Sequence, residues 1–336
     1  MKILVTGGTG FVGRHIVNML TSKGFEVSVL ARADQFSQKL LEEAKLIRKD
    51  ILNITLNDLT TEYDGIIHMA ARTPVRLSWQ ESGEFIRINY LGTVRIVEVL
   101  KKLRNLNLIK TMPWLIYYST AEVVPSDRPV DENVNPNPQN PYAISKYVAE
   151  LYVRENYPHS IIVRPANTFD RSILADVEES RGYFVEKAVI QALEMKYGRR
   201  QVMKFDGFPD TVRTWIHISD HVRAIELLVD RLCDTLFVHK HSGSVWHIGS
   251  TENTASCGEI VSMIAEILGL DLDTGVKLGI DYNIKSVSWG NNPRPWDPPV
   301  IALDGSKFME KFNWKPKDLK ESLRITVENW KKALGF

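Results

Sequence analysis

The segment KILVTGGTGFVGRHIV, residues 2–17, constrains the fold more than any other. A short apolar run breaks into glycines and resumes at helical spacing, so it reads as strand, tight turn, helix. Gly7, Gly10 and Gly13 let the backbone turn sharply, approach a pyrophosphate and pack helix on strand, while the helix N-terminus favours the anion. Gly8, Gly10 and Gly13 also fit the looser pattern G-x-G-x-x-G. The pattern alone says little, and the strand–loop–helix context carries the dinucleotide reading. The alternative is a glycine turn of structural use only. An apolar run this short is a first strand, not a secretion signal.

Candidate strands follow at Lys2–Thr6, Glu26–Leu30, Gly65–Met69, Trp114–Tyr118 and His159–Arg164, with helical patterns near 11–22, 84–104 and 142–156 between them. Strands alternating with helices of this length argue for βαβ units and a doubly wound parallel sheet of Rossmann type. Asn140 can cap the helix that Pro141 opens. After residue 170 the pattern loosens into a polar excursion, a helix, short strands, and a strand-to-helix return at WIHISDHVRAIELLVDRL. The expected organisation is a dinucleotide-binding domain over 1–170, with 212–250 returning to it. A smaller discontinuous C-terminal domain over 171–211 and 251–336 would bind the substrate.

The totals exclude several classes. With 42 basic and 41 acidic residues intermixed and a net charge of +1, nothing marks a nucleic-acid surface. Cys233 and Cys257 fit neither a disulfide framework nor a zinc site, so no metal is expected. No apolar run approaches the ~18 residues of a membrane helix. The expected setting is a reduced cytoplasm.

A site preferring NAD usually places a carboxylate at the end of the second strand, on the adenine ribose. Here VSVLARAD puts Ala31 and Arg32 at that point. Alanine cannot accept the 2′-hydroxyl bond, whereas arginine can pair with a 2′-phosphate. The expectation is therefore NADP, with NAD left open if Asp34 supplies the ribose contact instead. Asp50, in RKDI, can meet the adenine amine or simply end a strand.

NPYAISKYVAEL sets Tyr142 and Lys146 four residues apart, on one helix face. A free tyrosine titrates near pH ~10. A neighbouring ammonium and a positive nicotinamide favour the phenolate, which can then remove a hydroxyl proton. The bland alternative is a solvated pair. In YYSTAEVVP, residues 117–125, an apolar run ends in Ser119, Thr120 and Glu122 at the place where parallel sheets bind ligands.

TGGTGFVG, HMAA at 68–71, Asn89 with LGT, the Ser/Thr strand end and Tyr142-x-x-x-Lys146 together resemble the extended short-chain dehydrogenase/reductases. Within them the chain resembles the NAD-dependent epimerase/dehydratase family of nucleotide-sugar enzymes. RPANTFD, RTWIHISDHVRAI, HIGS and FNWKP fall in the family's order, so the likeness spans nearly the whole chain. It implies Thr120, Tyr142, Lys146 and Glu122 as the catalytic set, with Thr120 holding the sugar's reacting oxygen and Lys146 the nicotinamide ribose. It places Phe11, Val12, Ile51, Ala70, Ala71, Asn89, Ser119 and Pro165 along the cofactor, beside the glycines, Arg32 and Asp50. Ser78, Asn167, Arg213 and Arg294 would join Thr120 in binding a nucleoside-diphosphate sugar. The helices at 84–104 and 142–156 resemble a family dimer interface, which implies a homodimer.

Family members begin with oxidation at the sugar C4 and then diverge. Dehydratases acting on thymidine-linked glucose read Thr-Asp-Glu at this strand end, and those acting on GDP-mannose read Thr-Ser-Glu. This chain reads Thr120-Ala121-Glu122, keeping the base and losing the acid. The expectation is a 4-epimerase or 4-ketoreductase. The alternatives are a 4,6-dehydratase using Glu122 as base and a non-catalytic dinucleotide sensor. Glu122 itself can bind a sugar hydroxyl or point into solvent.

Overall fold

The structure, a computed structural model, describes residues 1–32, 44–59, 62–172, 182–272, 287–290 and 297–336. Its first half alternates β1 (Lys2–Thr6), α1 (Phe11–Ser22), β2 (Glu26–Ala31), β3 (Lys45–Arg48), β4 (Gly65–His68), α2 (Gly92–Asn105), β5 (Trp114–Tyr118), α3 (Pro141–Asn156) and β6 (Ser160–Pro165). There follow β7 (Asn167–Phe169), α4 (Phe184–Lys196), β8 (Met203–Phe205), β9 (Val212–His217), α5 (Ile218–Leu232), β10 (Ser244–Ile248), β11 (Thr254–Ser256), α6 (Cys257–Leu268), β12 (Val287–Trp289), β13 (Val300–Ile301) and α7 (Leu319–Leu334).

Seven strands form one parallel sheet in the order β10-β6-β5-β4-β1-β2-β3. The inner strands are apolar on both faces because helices cover both sides. Ile16 and Val17 of α1 and Leu228 of α5 pack on one face. Ile96 and Leu100 of α2 and Ala149 and Val153 of α3 pack on the other. Strand order reverses between β1 and β4, so a crevice forms beyond Thr6, His68 and Tyr118. This is the Rossmann-type doubly wound architecture read from the sequence.

Three elements differ from expectation. β3 is an edge strand whose only apolar residues are Leu46 and Ile47, a signal too weak to read. The helix expected over 84–104 contains a π-helical stretch at Ile86–Leu91 before α2. The strand-to-helix return divides: β10 joins β6 at the edge of the large sheet, while β9 centres a smaller one. There β9 pairs in parallel with β7 and β13 and antiparallel with β11. Side-chain alternation along β9 explains this, since Ile216 enters the first core and Trp215 a separate one with Phe169, Val189, Ile260 and Trp330.

Candidate active site

The glycine turn is held by contacts that leave no room for side chains. Gly7 has φ +72°, and a Cβ there would lie 2.7 Å from the Ala70 nitrogen. A Cβ on Gly13 would lie 2.2 Å from the Gly7 carbonyl oxygen. Gly10 caps α1 without any side-chain bond, so the first-turn N–H groups beside buried Phe11 and half-buried Val12 stay aimed at the crevice. This cradle fits a pyrophosphate. At the end of β2, Ala31 is buried and Arg32 is exposed. Asp50 Oδ1 accepts the Leu52 N–H at 2.9 Å and so caps the short turn Ile51–Asn53, with Ile51 packed beneath Gly92. Asp34 lies outside the described residues.

A buried hydrogen-bond chain ties this turn to the Tyr142 helix. The Ala70 N–H donates to Thr6 Oγ1 at 3.1 Å, and Thr6 Oγ1 lies 2.6 Å from His68 Nδ1. His68 Nε2 lies 2.9 Å from Thr93 Oγ1, which donates to the Asn89 carbonyl at 2.6 Å. Because the Thr93 proton is committed to Asn89, His68 Nε2 must donate and Nδ1 must accept from Thr6. Burial pushes His68 down to about 3, with Lys146 adding to the effect, so it stays neutral. The Asn89 amide donates to Ser145 Oγ at 2.9 Å and to the Arg72 carbonyl at 3.1 Å, and its oxygen accepts the Arg72 N–H at 2.7 Å. Ser145 in turn donates to the Tyr142 carbonyl at 2.7 Å. Asn89 thus joins the β4 loop, with half-buried Ala70 and Ala71, to α3.

Thr120 and Tyr142 come together. Thr120 lies beside Tyr142, near enough for its hydroxyl to favour the phenolate, and Thr120 Oγ1 accepts the Glu122 N–H at 3.2 Å. Phe85 packs edge-on to the Tyr142 ring, 6.3 Å between centroids. Burial pushes Tyr142 up to about 12, against the Thr120 hydroxyl, which lowers it. Lys146 is 3% exposed, its ammonium 4.5 Å above the centre of the Tyr117 ring. Burial pushes Lys146 down to about 7, and the Glu150 carboxylate works against that fall.

Ser119 is placed differently from Thr120. It continues the face of Leu115 and Tyr117, toward α3, and its hydroxyl donates to Glu150 Oε2 at 2.6 Å. Glu122 is half-buried, and its Oε2 accepts from Asn140 Nδ2 at 3.0 Å. Asn140 also caps α3, accepting the Ala143 N–H at 2.8 Å. Burial raises the Glu122 carboxyl, Arg213 lowers it and Asp297 raises it, so the three sit within electrostatic reach of one another. Arg213 is buried and donates to Asp297 Oδ1 at 2.8 Å. Asn167 is half-buried at the start of β7, and half-buried Pro165 ends β6. Ser78 is fully buried, its hydroxyl donating to the Val75 carbonyl at 2.7 Å. Arg294 lies outside the described residues.

Sequence reasoning missed Arg171, whose guanidinium lies 3.4 Å from the Tyr183 ring centre and 4.4 Å from that of Phe11. It also missed Glu150, Arg164 and Thr93, none of which announces itself by spacing alone. Among the described residues no group of three His, Cys, Asp or Glu could hold a metal. No helix there is long and apolar enough to cross a membrane.

Residues 3–236 match the NAD dependent epimerase/dehydratase family. The chain belongs to that family. It is 27% identical over 341 residues to a putative UDP-glucose 4-epimerase of Methanocaldococcus jannaschii, covering 98% of each chain. It is also 27% identical over 352 residues to a dTDP-glucose 4,6-dehydratase of Mycolicibacterium smegmatis, covering 99% of this chain and 94% of the other. Among solved structures, the UDP-glucose 4-epimerase of Thermotoga maritima, with UDP-glucose, matches with a TM-score of 0.78. That pair is 26% identical and covers 99% of this chain and all of the other. The two relatives stand at equal identity, so overall likeness does not choose between epimerisation and dehydration.

In this epimerase/dehydratase family enzyme, Tyr142 remains a phenol across the neutral range when nothing is bound. At pH ~10 a solvated phenol is half ionised. There, phenolate absorbance of the free enzyme should match that of Tyr142→Phe, and an oxidised dinucleotide should bring out a Tyr142-dependent phenolate at lower pH. Ionisation of Tyr142 near the solvated value in the free enzyme would contradict the burial argument.

Proposed function

We propose that this enzyme carries out NAD(P)-dependent oxidation and reduction at C4 of a nucleoside-diphosphate sugar, as a 4-epimerase or 4-ketoreductase. The observation that carries the reading is the placement of Thr120 beside Tyr142 at the switch-point crevice, with the buried Lys146 one helical turn on. When bound, the nicotinamide supplies hydride exchange with the sugar carbon. Gly7, Gly10, Phe11, Val12 and Gly13 would hold the pyrophosphate, and Lys146 the nicotinamide ribose. Thr120 would orient the reacting hydroxyl. Tyr142, as phenolate, takes that hydroxyl's proton and later returns it, and the Lys146 ammonium stabilises the phenolate. Arg213 and Asn167 would hold the substrate diphosphate, in a substrate-binding part built from 171–211 and 251–336. Ala121 puts no acid beside the reacting centre, which supports epimerisation or ketoreduction over elimination.

One observation favours dehydration as a second reading. Asn140 holds Glu122 within electrostatic reach of Tyr142, and burial raises its carboxyl, as suits a base. Incubation with UDP-, GDP-, CDP- and TDP-sugars and with their 4-keto derivatives plus reduced dinucleotide, followed by mass spectrometry, separates the outcomes. Unchanged mass with a new isomer or a gain of two hydrogens supports the proposal, while loss of water supports the second reading. Tyr142→Phe should lower turnover about 10²-fold or more while dinucleotide binding persists. Undiminished turnover would remove Tyr142 from its role.

Exposed Arg32 after buried Ala31 supports NADP as the preferred dinucleotide. NADP should bind about tenfold more tightly than NAD, and Arg32→Ala should erase that difference. Tighter NAD binding by the unaltered enzyme would overturn the preference. The scarcity of cysteine, with Cys233 and Cys257 alone in the sequence, supports a cytoplasmic location.

Ile144 and Leu151 lie 42% and 38% exposed on α3, and Leu91, 46% exposed, immediately precedes α2. This apolar surface supports a homodimer through those helices. Light scattering at micromolar concentration should give twice the chain mass, falling to one chain for Leu151→Arg. A monomeric unaltered enzyme would contradict the assembly.

A further inference from the structure

Beneath Lys146 lies a buried charge assembly that the chemistry at C4 does not by itself require. Glu150, one turn beyond Lys146 on α3, is wholly inaccessible. Its Oε1 accepts from Arg164 Nη2 at 2.6 Å, and its Oε2 from Arg164 Nε at 3.1 Å and from Ser119 Oγ at 2.6 Å. Arg164 is 2% exposed, with Nη1 3.5 Å from His247 Nε2. Such an ion pair in a dry interior contributes little net stability compared with apolar packing.

Its placement gives it a use. Ser119 immediately precedes Thr120, and Glu150 stands two helical turns beyond Tyr142, so the Ser119–Glu150 bond sets the end of β5 against α3. Among the described residues, few charged and titratable groups surround Lys146. Neutral His68 approaches from β4 and the Tyr117 ring from β5, while Tyr142 and Glu150 share its helix and Arg164 of β6 stands behind Glu150. Of these, only Glu150 favours the ammonium form.

We propose that Glu150 is a positioning residue: a buried anion, gripped by Arg164 and Ser119, that holds Lys146 as an ammonium under the crevice and locks Thr120 against Tyr142. The proposal rests on the reading of Tyr142 and Lys146 as the acid–base pair. Burial alone works against the Lys146 charge. Replacing Glu150 by glutamine removes the opposing carboxylate and leaves the Arg164 cation uncompensated nearby. Both changes drive the Lys146 proton off at lower pH.

Two variants test this, because Glu150→Gln alone strands a buried charge and can fail to fold. The paired variant Glu150→Gln/Arg164→Gln leaves no unpaired ion. Lys146 titration, followed by NMR of lysine side chains labelled with nitrogen-15 and assigned with Lys146→Met, should move down by about one pH unit or more in whichever variant folds. Turnover at neutral pH should drop about tenfold or more, and its alkaline limb should move to lower pH by a similar interval. Glu150→Asp, which keeps the charge, should recover part of both. A folded variant of lower stability with unmoved Lys146 titration and an unmoved pH profile would overturn the proposal, reducing the pair to a structural role. Failure of the acid–base reading is told apart by Tyr142→Phe: sustained turnover there removes the reading, whereas the Lys146 titration is read without turnover.

Discussion

The site depends on one continuous hydrogen-bond chain running from the first strand to the backbone of Tyr142. Thr6, His68, Thr93, Asn89 and Ser145 link β1, β4, the π-helical stretch before α2, α2 itself and α3. Each hydroxyl both donates and accepts, which fixes the histidine tautomer and the direction of the whole chain. All five residues are buried, so breaking any one link strands polar groups away from water. The π-helical turn at Ile86–Leu91 matters because its extra residue rotates the helix face and brings Asn89 to both the Arg72 backbone and Ser145. The glycine turn, which tolerates no Cβ against Ala70, is thereby registered to the helix that carries Tyr142 and Lys146.

On that scaffold, burial disfavours charge at both members of the central pair. Tyr142 is pushed up to about 12 and Lys146 down to about 7. A phenolate therefore forms only with help from groups that favour it, and the Thr120 hydroxyl works in that direction. Under the proposed acid–base reading, this arrangement would keep Tyr142 protonated until a ligand completes the crevice.

The parts of this design visible in the sequence are those that local rules generate. The glycine spacing, the β-branched runs, the Asn140 cap with Pro141 behind it and the Tyr142–Lys146 interval each follow from short-range geometry. The two-residue alternation of strands also separates Ser119 from Thr120, since Leu115, Tyr117 and Ser119 share the face toward α3. What local rules cannot reach is long-range pairing. Arg213 meets Asp297 across 84 positions and Asn89 meets Ser145 across 56, and nothing in either segment names its partner. Glu122 falls between these cases: its place at a strand end was legible, but the Asn140 bond that turns it inward depends on how α3 docks.

If the crevice oxidises a sugar at C4 as proposed, isotope transfer will reveal it. A nucleoside-diphosphate sugar deuterated only at C4, mixed with the enzyme and oxidised dinucleotide, should yield reduced dinucleotide bearing the deuterium, more slowly than the protiated sugar does. Deuterium carried back to C4 in an epimer accords with hydride return. Loss of the C4 deuterium to water, with no transient reduced dinucleotide and no slowing by the label, would contradict the proposal.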